Sequence, residues 1–287
     1  MNFPITFTKM SGSGNDFIII DHRTPFLDPD SLPAFTRAIC TRKFSVGADG
    51  LILIEPSTEA DFSWTFLNAD GSSAEMCGNG ARCAARYAYA NSIAPASMRF
   101  MTTAGIIEAE VIHEAVKLKM TTPESLVLDQ KISIAGQTIP VHSINTGVPH
   151  AVHFVEEAQS VPVKEWGHAI RFHDLFQPAG ANANFVEVID RTALHVRTYE
   201  RGVEDETLAC GTGAVASAII AALKHDVTPP VTVTTSGGEH LVIHFLLENL
   251  TEPAIKGVHL EGPAHFIYEG QLDAEAIRTM QQETSKS

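Results

Sequence analysis

Residues 206–214 read ETLACGTGA, and the run from Ala214 to Leu223 that completes this stretch is apolar apart from Ser217. An apolar segment of this length is too short to span a bilayer, so the pattern predicts a helix buried inside a domain. Cys210 would lie at the N-terminus of that helix. There the N–H groups and the helix dipole favour a thiolate and can also hold a carboxylate.

The stretch has a second copy in the first half of the chain. CGNGA at 77–81 matches CGTGA at 210–214, which gives an offset of 210 − 77 = 133 residues. Further pairs share this offset: GAD at 47–49 with GAN at 180–182, Gly14 with Gly147, and Gly105 with Gly238. Several matches in one register predict an internal duplication and therefore two similar domains.

Short runs rich in β-branched and apolar residues predict strands in both halves. They fall at 17–21, 51–55, 62–67, 99–103, 106–111, 115–120, 141–144, 151–155, 185–189, 193–199, 231–235, 240–246 and 255–260. A central alanine-rich helix is predicted at 79–91, and surface helices are predicted at 33–42 and 163–171.

Strands that outnumber helices, with one apolar helix per half, predict an α/β fold of the α+β type. We expect two pseudo-symmetric repeat domains, each a barrel-like curved β-sheet around a central apolar helix. The predicted N-terminal domain is 1–121, with 264–287 crossing back to it, and the predicted C-terminal domain is 122–263.

Composition restricts the classes of partner. The formal net charge of −14 and the isoelectric point near 5.3 argue against nucleic acid or an anionic membrane, since phosphate binding needs clustered Lys and Arg. Neither a signal peptide nor a membrane span is evident, so we expect a cytoplasmic protein. Four cysteines without a Cys-x-x-Cys pair predict neither a disulfide framework nor a metal site, and the glycine-rich loop at 12–16 lacks the ending of a P-loop.

Two duplicated domains, each with a cysteine at the start of its central helix, predict a pair of thiols that face each other across a cleft. Cys77 and Cys210 could then invert a stereocentre, because one removes a proton and the other delivers a proton to the opposite face. The backbone N–H groups around Gly78-Asn79 and Gly211-Thr212 could hold the substrate's α-carboxylate. Cys40 and Cys83 lie outside the repeated motif and are interpreted as core residues.

Three other polar residues could belong to the same site. Glu200 and Arg201 follow a predicted strand and align with 67–68 at the common offset, 200 − 67 = 133. They suit the ammonium and carboxylate of an amino acid, although a surface ion pair is the simpler interpretation. His150 lies in a loop that aligns with the repeat, where a structural and a catalytic role are equally compatible with the sequence.

These motifs resemble those of the diaminopimelate epimerase family, over nearly the whole chain. The most specific are NADGS at 68–72, CGNGAR at 77–82, YERG at 199–202 and ETLACGTG at 206–213. The resemblance implies a cofactor-independent epimerase that interconverts LL- and meso-2,6-diaminopimelate on the way to lysine and peptidoglycan, with no metal and no pyridoxal phosphate. A small molecule is the expected partner, and we consider a homodimer as the assembly.

Carried over by position, the resemblance makes Cys77 and Cys210 the two acid/base residues. The implied substrate contacts are Asn15, Asn68, Asn182, Glu200 and Arg201, together with the backbone of Gly78, Asn79, Gly211 and Thr212. One departure is Val148, which stands where many family members have an asparagine.

Two alternatives remain open on the sequence. A proline or hydroxyproline racemase-like enzyme also uses paired cysteines, but its cyclic substrate has no distal carboxylate and ammonium. A non-catalytic amino-acid binding protein could use the same scaffold, although both thiols are retained.

Overall fold

The computed structural model describes residues 2–134, 136–249 and 253–278, which contain seventeen strands and four α-helices. The strands are β1 Ile5–Gly12, β2 Asn15–Asp21, β3 Gly50–Glu55, β4 Phe62–Asn68, β5 Ser97–Thr102, β6 Gly105–Ile112, β7 Ala115–Lys119, β8 Glu124–Ile134, β9 Gln137–Asn145, β10 Pro149–Phe154, β11 Asn182–Asp190, β12 Ala193–Glu200, β13 Asp205–Thr207, β14 Val231–Thr235, β15 His240–Glu248, β16 Ala254–Pro263 and β17 His265–Leu272. The helices are α1 Leu32–Cys40, α2 Gly78–Ala90, α3 Val163–Arg171 and α4 Gly211–Lys224.

The chain divides into two compact units. The N-terminal unit contains the residues up to Leu118 and the segment from Pro263 onward, and the C-terminal unit is Lys119–Gly262. The return to the N-terminal unit is made by β17, which pairs antiparallel with β1 between Ile5 and Ser11.

Every strand and helix predicted from the sequence occurs in the structure. Four further strands, β1, β8, β13 and β17, were not predicted.

In the C-terminal unit the sheet surrounds α4. Ala, Val and Ile side chains of α4 are buried against residues from β9–β12 and β14–β16, so the helix contacts sheet on several sides. This environment explains why the helix is apolar around its whole circumference between Ala214 and Leu223, where Ser217 is the one polar residue. The Ser217 hydroxyl is satisfied within the helix, since it donates to the Gly213 carbonyl at 2.7 Å.

The N-terminal unit has the same plan around α2. The hairpin of β1 and β2 lies against the start of α2 so closely that a Cβ on Gly12 would lie 2.9 Å from the Asn79 carbonyl oxygen. A second apolar cluster joins α1 to the opposite face of β2 and β3, through residues such as Phe35, Ile39 and Leu51. Cys40 and Cys83 are buried in the core, as predicted.

The strand register corrects one detail of the repeat. Leu51 on β3 and Ala183 on β11 both pack towards the surface helix of their unit, α1 and α3, which sets their offset at 183 − 51 = 132. Because β3 pairs with β4 as β11 pairs with β12, Glu200 corresponds to Asn68 (200 − 68 = 132) and not to Leu67. The predicted offset of 133 is therefore wrong by one residue on these strands.

We expect Gly167→Ala to destabilise the protein, because a Cβ at this position of α3 would lie 2.3 Å from the Tyr199 Cβ. Overpacking of this kind costs about 1–3 kcal/mol, which outweighs the better helix propensity of alanine. Glu165→Ala, at an exposed position of the same helix, should change stability by less than about 1 kcal/mol. Urea unfolding measures both, and an unchanged midpoint for Gly167→Ala would show that the packing of α3 on β12 is looser than described.

Candidate active site

Both candidate cysteines occupy the N-cap position of the central helix of their unit. Cys77 and Cys210 have extended backbones, with φ and ψ of −146° and 115°, and of −123° and 107°. Their carbonyls accept the first helical hydrogen bonds, from Ala81 N–H at 2.8 Å and from Ala214 N–H at 2.9 Å. Cys77 is half-buried, whereas Cys210 is buried. The duplicated motif thus builds the same local geometry twice.

The N-terminal unit holds two of the predicted substrate contacts in one hydrogen-bonded chain. The Asn79 amide donates to Asn15 Oδ1 at 2.8 Å, and the Asn15 amide donates to Asp49 Oδ2 at 3.1 Å. These bonds fix which side of the Asn15 side chain presents oxygen and which presents nitrogen.

Arg82 completes this arrangement, and the sequence reasoning assigned it no role. Its guanidinium is fully buried and donates to Ser13 Oγ at 2.6 Å, to Asn79 Oδ1 at 3.0 Å and to the Pro263 carbonyl at 3.1 Å. A charged residue in an otherwise small and apolar stretch of helix was the available signal, because buried charges are rare unless they are satisfied by partners.

Asn68 lies at the end of β4 and is exposed. Its amide donates to Ser72 Oγ at 3.0 Å, and its backbone N–H donates to the Ser72 carbonyl at 2.9 Å. Asp70 accepts from the Ser72 backbone and hydroxyl within the same turn. The NADGS motif is therefore a self-bonded turn that displays Asn68 at the surface of its unit.

The surroundings of Cys210 favour the protonated thiol over the thiolate. Burial, and secondly the carboxylate of Glu200, raise the pKa of Cys210 to about 12. The Thr212 hydroxyl, 3.6 Å from Sγ, and the N–H groups of Thr212 and Gly213 lower this pKa. The pKa is raised despite these groups, so the effect of the helix end is smaller than the cost of desolvating a thiolate.

Glu200, Arg201 and Asn182 lie together in the C-terminal unit. The Arg201 backbone N–H donates to Asn182 Oδ1 at 2.7 Å, and its guanidinium donates to the Ala179 carbonyl at 3.1 Å. Glu200 is partly buried, and burial raises the pKa of its carboxyl. The two side chains do not form an ion pair with each other among the described contacts, which disfavours the simpler interpretation of a surface salt bridge.

The segment that leads into Cys210 is anchored by Glu206. Its carboxylate accepts from Arg197 Nε at 2.8 Å and Nη2 at 2.6 Å, and from Ser236 Oγ at 2.7 Å. The Arg197 guanidinium also donates to the carbonyls of three residues between 158 and 161. Glu206 thus positions the segment that precedes Cys210 through a bidentate ion pair with Arg197. The hydrophobic periodicity of the sequence does not predict this pair.

His150 is fully buried between two asparagine amides. Asn184 Nδ2 lies 3.1 Å from His150 Nδ1, and Asn182 Nδ2 lies 3.5 Å from Nε2. Burial, followed by the charge of Arg201, lowers the pKa of His150 to about 3, so the imidazole is neutral. Val148 lies in the preceding turn, where its carbonyl accepts from the Thr146 N–H at 3.2 Å.

Two other features of the described residues bear on the class of protein. Within residues 2–134, 136–249 and 253–278, no group of three or more His, Cys, Asp or Glu side chains could hold a metal ion. In the same ranges no helix is long and apolar enough to cross a membrane.

Solved structures identify the class of fold. The chain resembles a phenazine biosynthesis protein of the PhzF family from Bacillus anthracis, with a TM-score of 0.72 at 15% identity over 95% of this chain and all of the other. It also resembles a probable proline racemase from Agrobacterium radiobacter, with a TM-score of 0.66 at 14% identity over 94% and 93% of the two chains. The protein therefore has the two-domain pseudo-repeat α/β fold of these proteins, and the predicted fold class is confirmed.

Sequence relatives are more specific. The diaminopimelate epimerase family model matches residues 7–127 and 142–250. The chain is 46% identical to the diaminopimelate epimerase of Aquifex aeolicus over 94% of its length and 99% of the relative. It is also 46% identical to that of Hydrogenobaculum sp., over 93% and 98% of the two chains. The chain belongs to the diaminopimelate epimerase family, which makes it an isomerase of the epimerase type.

Buried neutral His150 should make stability fall in acid. Below about pH 6.5 the unfolded chain protonates this imidazole whereas the folded protein does not, so protons favour unfolding. Between pH 7.5 and 5.5 the free energy of unfolding of the wild type should fall by about 1.4 kcal/mol more than that of His150→Phe. Urea unfolding at the two pH values measures the difference, and parallel pH dependences would contradict a neutral His150.

Proposed function

We propose that this protein interconverts LL- and meso-2,6-diaminopimelate by a two-base mechanism, with Cys77 and Cys210 as the acid/base pair. The observation that carries the proposal is the repeated N-cap cysteine: in both units a thiol lies at the N-terminus of a buried helix. The names of the relatives, which cover almost the whole chain, support the substrate. This activity would supply precursors of lysine and peptidoglycan.

The reaction requires removal of a weakly acidic proton from the α-carbon. One sulfur takes that proton as a thiolate, the opposite thiol gives its own proton to the other face, and the two thiols exchange protonation states in each turnover. The raised pKa of Cys210 favours the protonated form of this thiol, so Cys210 would donate the proton in the direction of reaction in which Cys77 is the base. The mechanism requires that both sulfurs reach the same carbon.

The helix N-termini stabilise the negative charge that develops when the proton leaves. The N–H groups at Gly78-Asn79 and at Gly211-Thr212 lie in the first turns of α2 and α4, where the helix dipole makes them suitable donors for the α-carboxylate. Fixed donors of this kind lower the barrier because they need no reorganisation during the reaction.

The distal end of the substrate carries a second ammonium and carboxylate. Glu200 and Arg201 provide one charge of each sign beside Asn182, and Asn15 and Asn68 add amide groups from the N-terminal unit. A cyclic imino acid would leave these groups without partners, and the likeness to a proline racemase at 14% identity concerns the fold alone. We therefore prefer diaminopimelate to proline as the substrate.

Cysteine variants in D₂O test the mechanism. The wild type should convert LL-diaminopimelate to the meso form with deuterium at one α-carbon. Cys77→Ala and Cys210→Ala should each lower the rate of epimerisation by about 100-fold or more, because each removes one proton-transfer group. Cys40→Ala is the matched control, since this buried cysteine of α1 lies outside the proposed site and its loss should affect stability only.

Two outcomes would contradict the proposal. Turnover of proline without deuterium incorporation into diaminopimelate would favour a racemase of imino acids. If the wild type bound diaminopimelate but did not turn it over, the protein would be a binding protein. The cytoplasmic location and the homodimer stay predictions, and light scattering of the purified protein measures the second.

A further inference from the structure

The two units differ in chemistry at one set of equivalent positions. In the C-terminal unit, the strand positions that pack against the first turn of α4 hold polar residues. In the N-terminal unit, the strand positions that pack against the first turn of α2 hold apolar residues. The polar set is His150, Asn184 and Thr198, and the corresponding apolar set is Phe17, Ile52 and Phe66 (150 − 17 = 133, 184 − 52 = 132, 198 − 66 = 132).

Contacts to the first helical turn confirm that the two sets are equivalent. A Cβ on Gly80 would lie 3.3 Å from Ile52 Cδ1, and a Cβ on Gly213 would lie 2.4 Å from Asn184 Oδ1. All six side chains are buried, with relative exposures of 5% or less. The N-terminal unit therefore shows that the fold is compatible with an apolar set here. Buried polar groups cost free energy unless they are bonded, so the polar set needs another explanation.

The orientation of Asn184 is fixed by its neighbours. Its Nδ2 donates to the Ala151 carbonyl at 3.0 Å, and its Oδ1 accepts from the Thr198 hydroxyl at 2.9 Å. A carbonyl can only accept, so the amide nitrogen must lie on that side. The second N–H of this nitrogen then points to His150 Nδ1 at 3.1 Å, which makes Nδ1 the acceptor.

A neutral imidazole has a single acceptor nitrogen, and two amides compete for it. Asn184 lies 3.1 Å from Nδ1, whereas Asn182 Nδ2 lies 3.5 Å from Nε2. When Asn184 occupies Nδ1, the ring proton is on Nε2 and Asn182 cannot donate to the ring. Asn182 Oδ1 is already used by the Arg201 N–H at 2.7 Å, so its Nδ2 keeps its hydrogens for another acceptor.

We propose that Asn184 is a positioning residue for substrate binding. It holds His150 in the Nε2–H tautomer and thereby leaves the N–H groups of Asn182 available for a carboxylate of the substrate. The inference rests on the proposed function for the identity of the substrate, but not for the tautomer. Without Asn184, the Asn182 amide would donate to Nε2, the ring proton would move to Nδ1, and the donor for the substrate would be lost.

The direct test is the tautomer of His150 in the whole protein at pH 7.5. Long-range ¹H–¹⁵N correlation spectra of ¹⁵N-histidine-labelled protein distinguish the two tautomers, and the His150 signals are those absent from His150→Phe. The wild type should show Nε2–H. The proton should move to Nδ1 in Asn184→Leu, which has an apolar side chain like that of the equivalent Ile52. It should also move to Nδ1 in the isosteric Asn184→Asp.

Kinetics give the second readout. In Asn184→Leu the KM for diaminopimelate should rise about tenfold or more, because the enzyme loses a hydrogen bond to the charged carboxylate of the substrate. The effect on kcat should be smaller. Val186→Ala is the control for a merely structural role, because it removes buried volume from the same strand without touching His150. This control should lower stability and leave both the tautomer and KM unchanged.

The failure of this inference is separable from failure of the proposed function. An Nδ1–H tautomer in the wild type overturns the role of Asn184 whatever the protein catalyses. An unchanged tautomer or an unchanged KM in Asn184→Leu also overturns it. A wild type that does not epimerise diaminopimelate refutes the proposed function, while the tautomer is still measured without substrate.

Discussion

The N-terminus of a buried helix is the constraint on which the rest of this structure depends. A helix surrounded by sheet begins with N–H groups that have no intrahelical partner and little access to water. Ser, Thr, Asp and Asn are the preferred caps for such groups, but the N-cap residue of both α2 and α4 is a cysteine. The fold therefore places, twice, a thiol beside the N–H groups of a helix N-terminus.

The surroundings of the two thiols have diverged although the backbone has not. Arg82 places a buried guanidinium in the first turns of α2, whereas at the start of α4 burial, and secondly the carboxylate of Glu200, raise the pKa of Cys210. The strand side chains that pack against the first turn of the helix are apolar in the N-terminal unit, whereas in the C-terminal unit they form a hydrogen-bonded network. The duplication thus supplies the two thiols that the proposed inversion of a stereocentre needs, and substitutions around them make the two units chemically distinct.

Much of this could be predicted from the sequence because it is local or repeated. The cysteine motif gave the position of both helices and both thiols, and β-branched runs such as 51–55 and 231–235 gave most strands. β17 could not be recognised by alternation, since four of its residues in succession are exposed, and β1 ends in a Ser-Gly segment typical of a turn. The raised pKa of Cys210 could not be predicted because burial is a tertiary property. The His150–Asn184–Thr198 contacts join three strands that no sequence pattern connects.

The central claim is that two thiols act on one carbon, and a crystal structure with a non-reactive diaminopimelate analogue tests it most directly. The distances from Cys77 Sγ and from Cys210 Sγ to the α-carbon are the quantities to measure. The account predicts both sulfurs within about 3.5 Å of that carbon, on opposite faces. A bound α-carbon with only one sulfur in reach, or with both sulfurs on the same face, would contradict it.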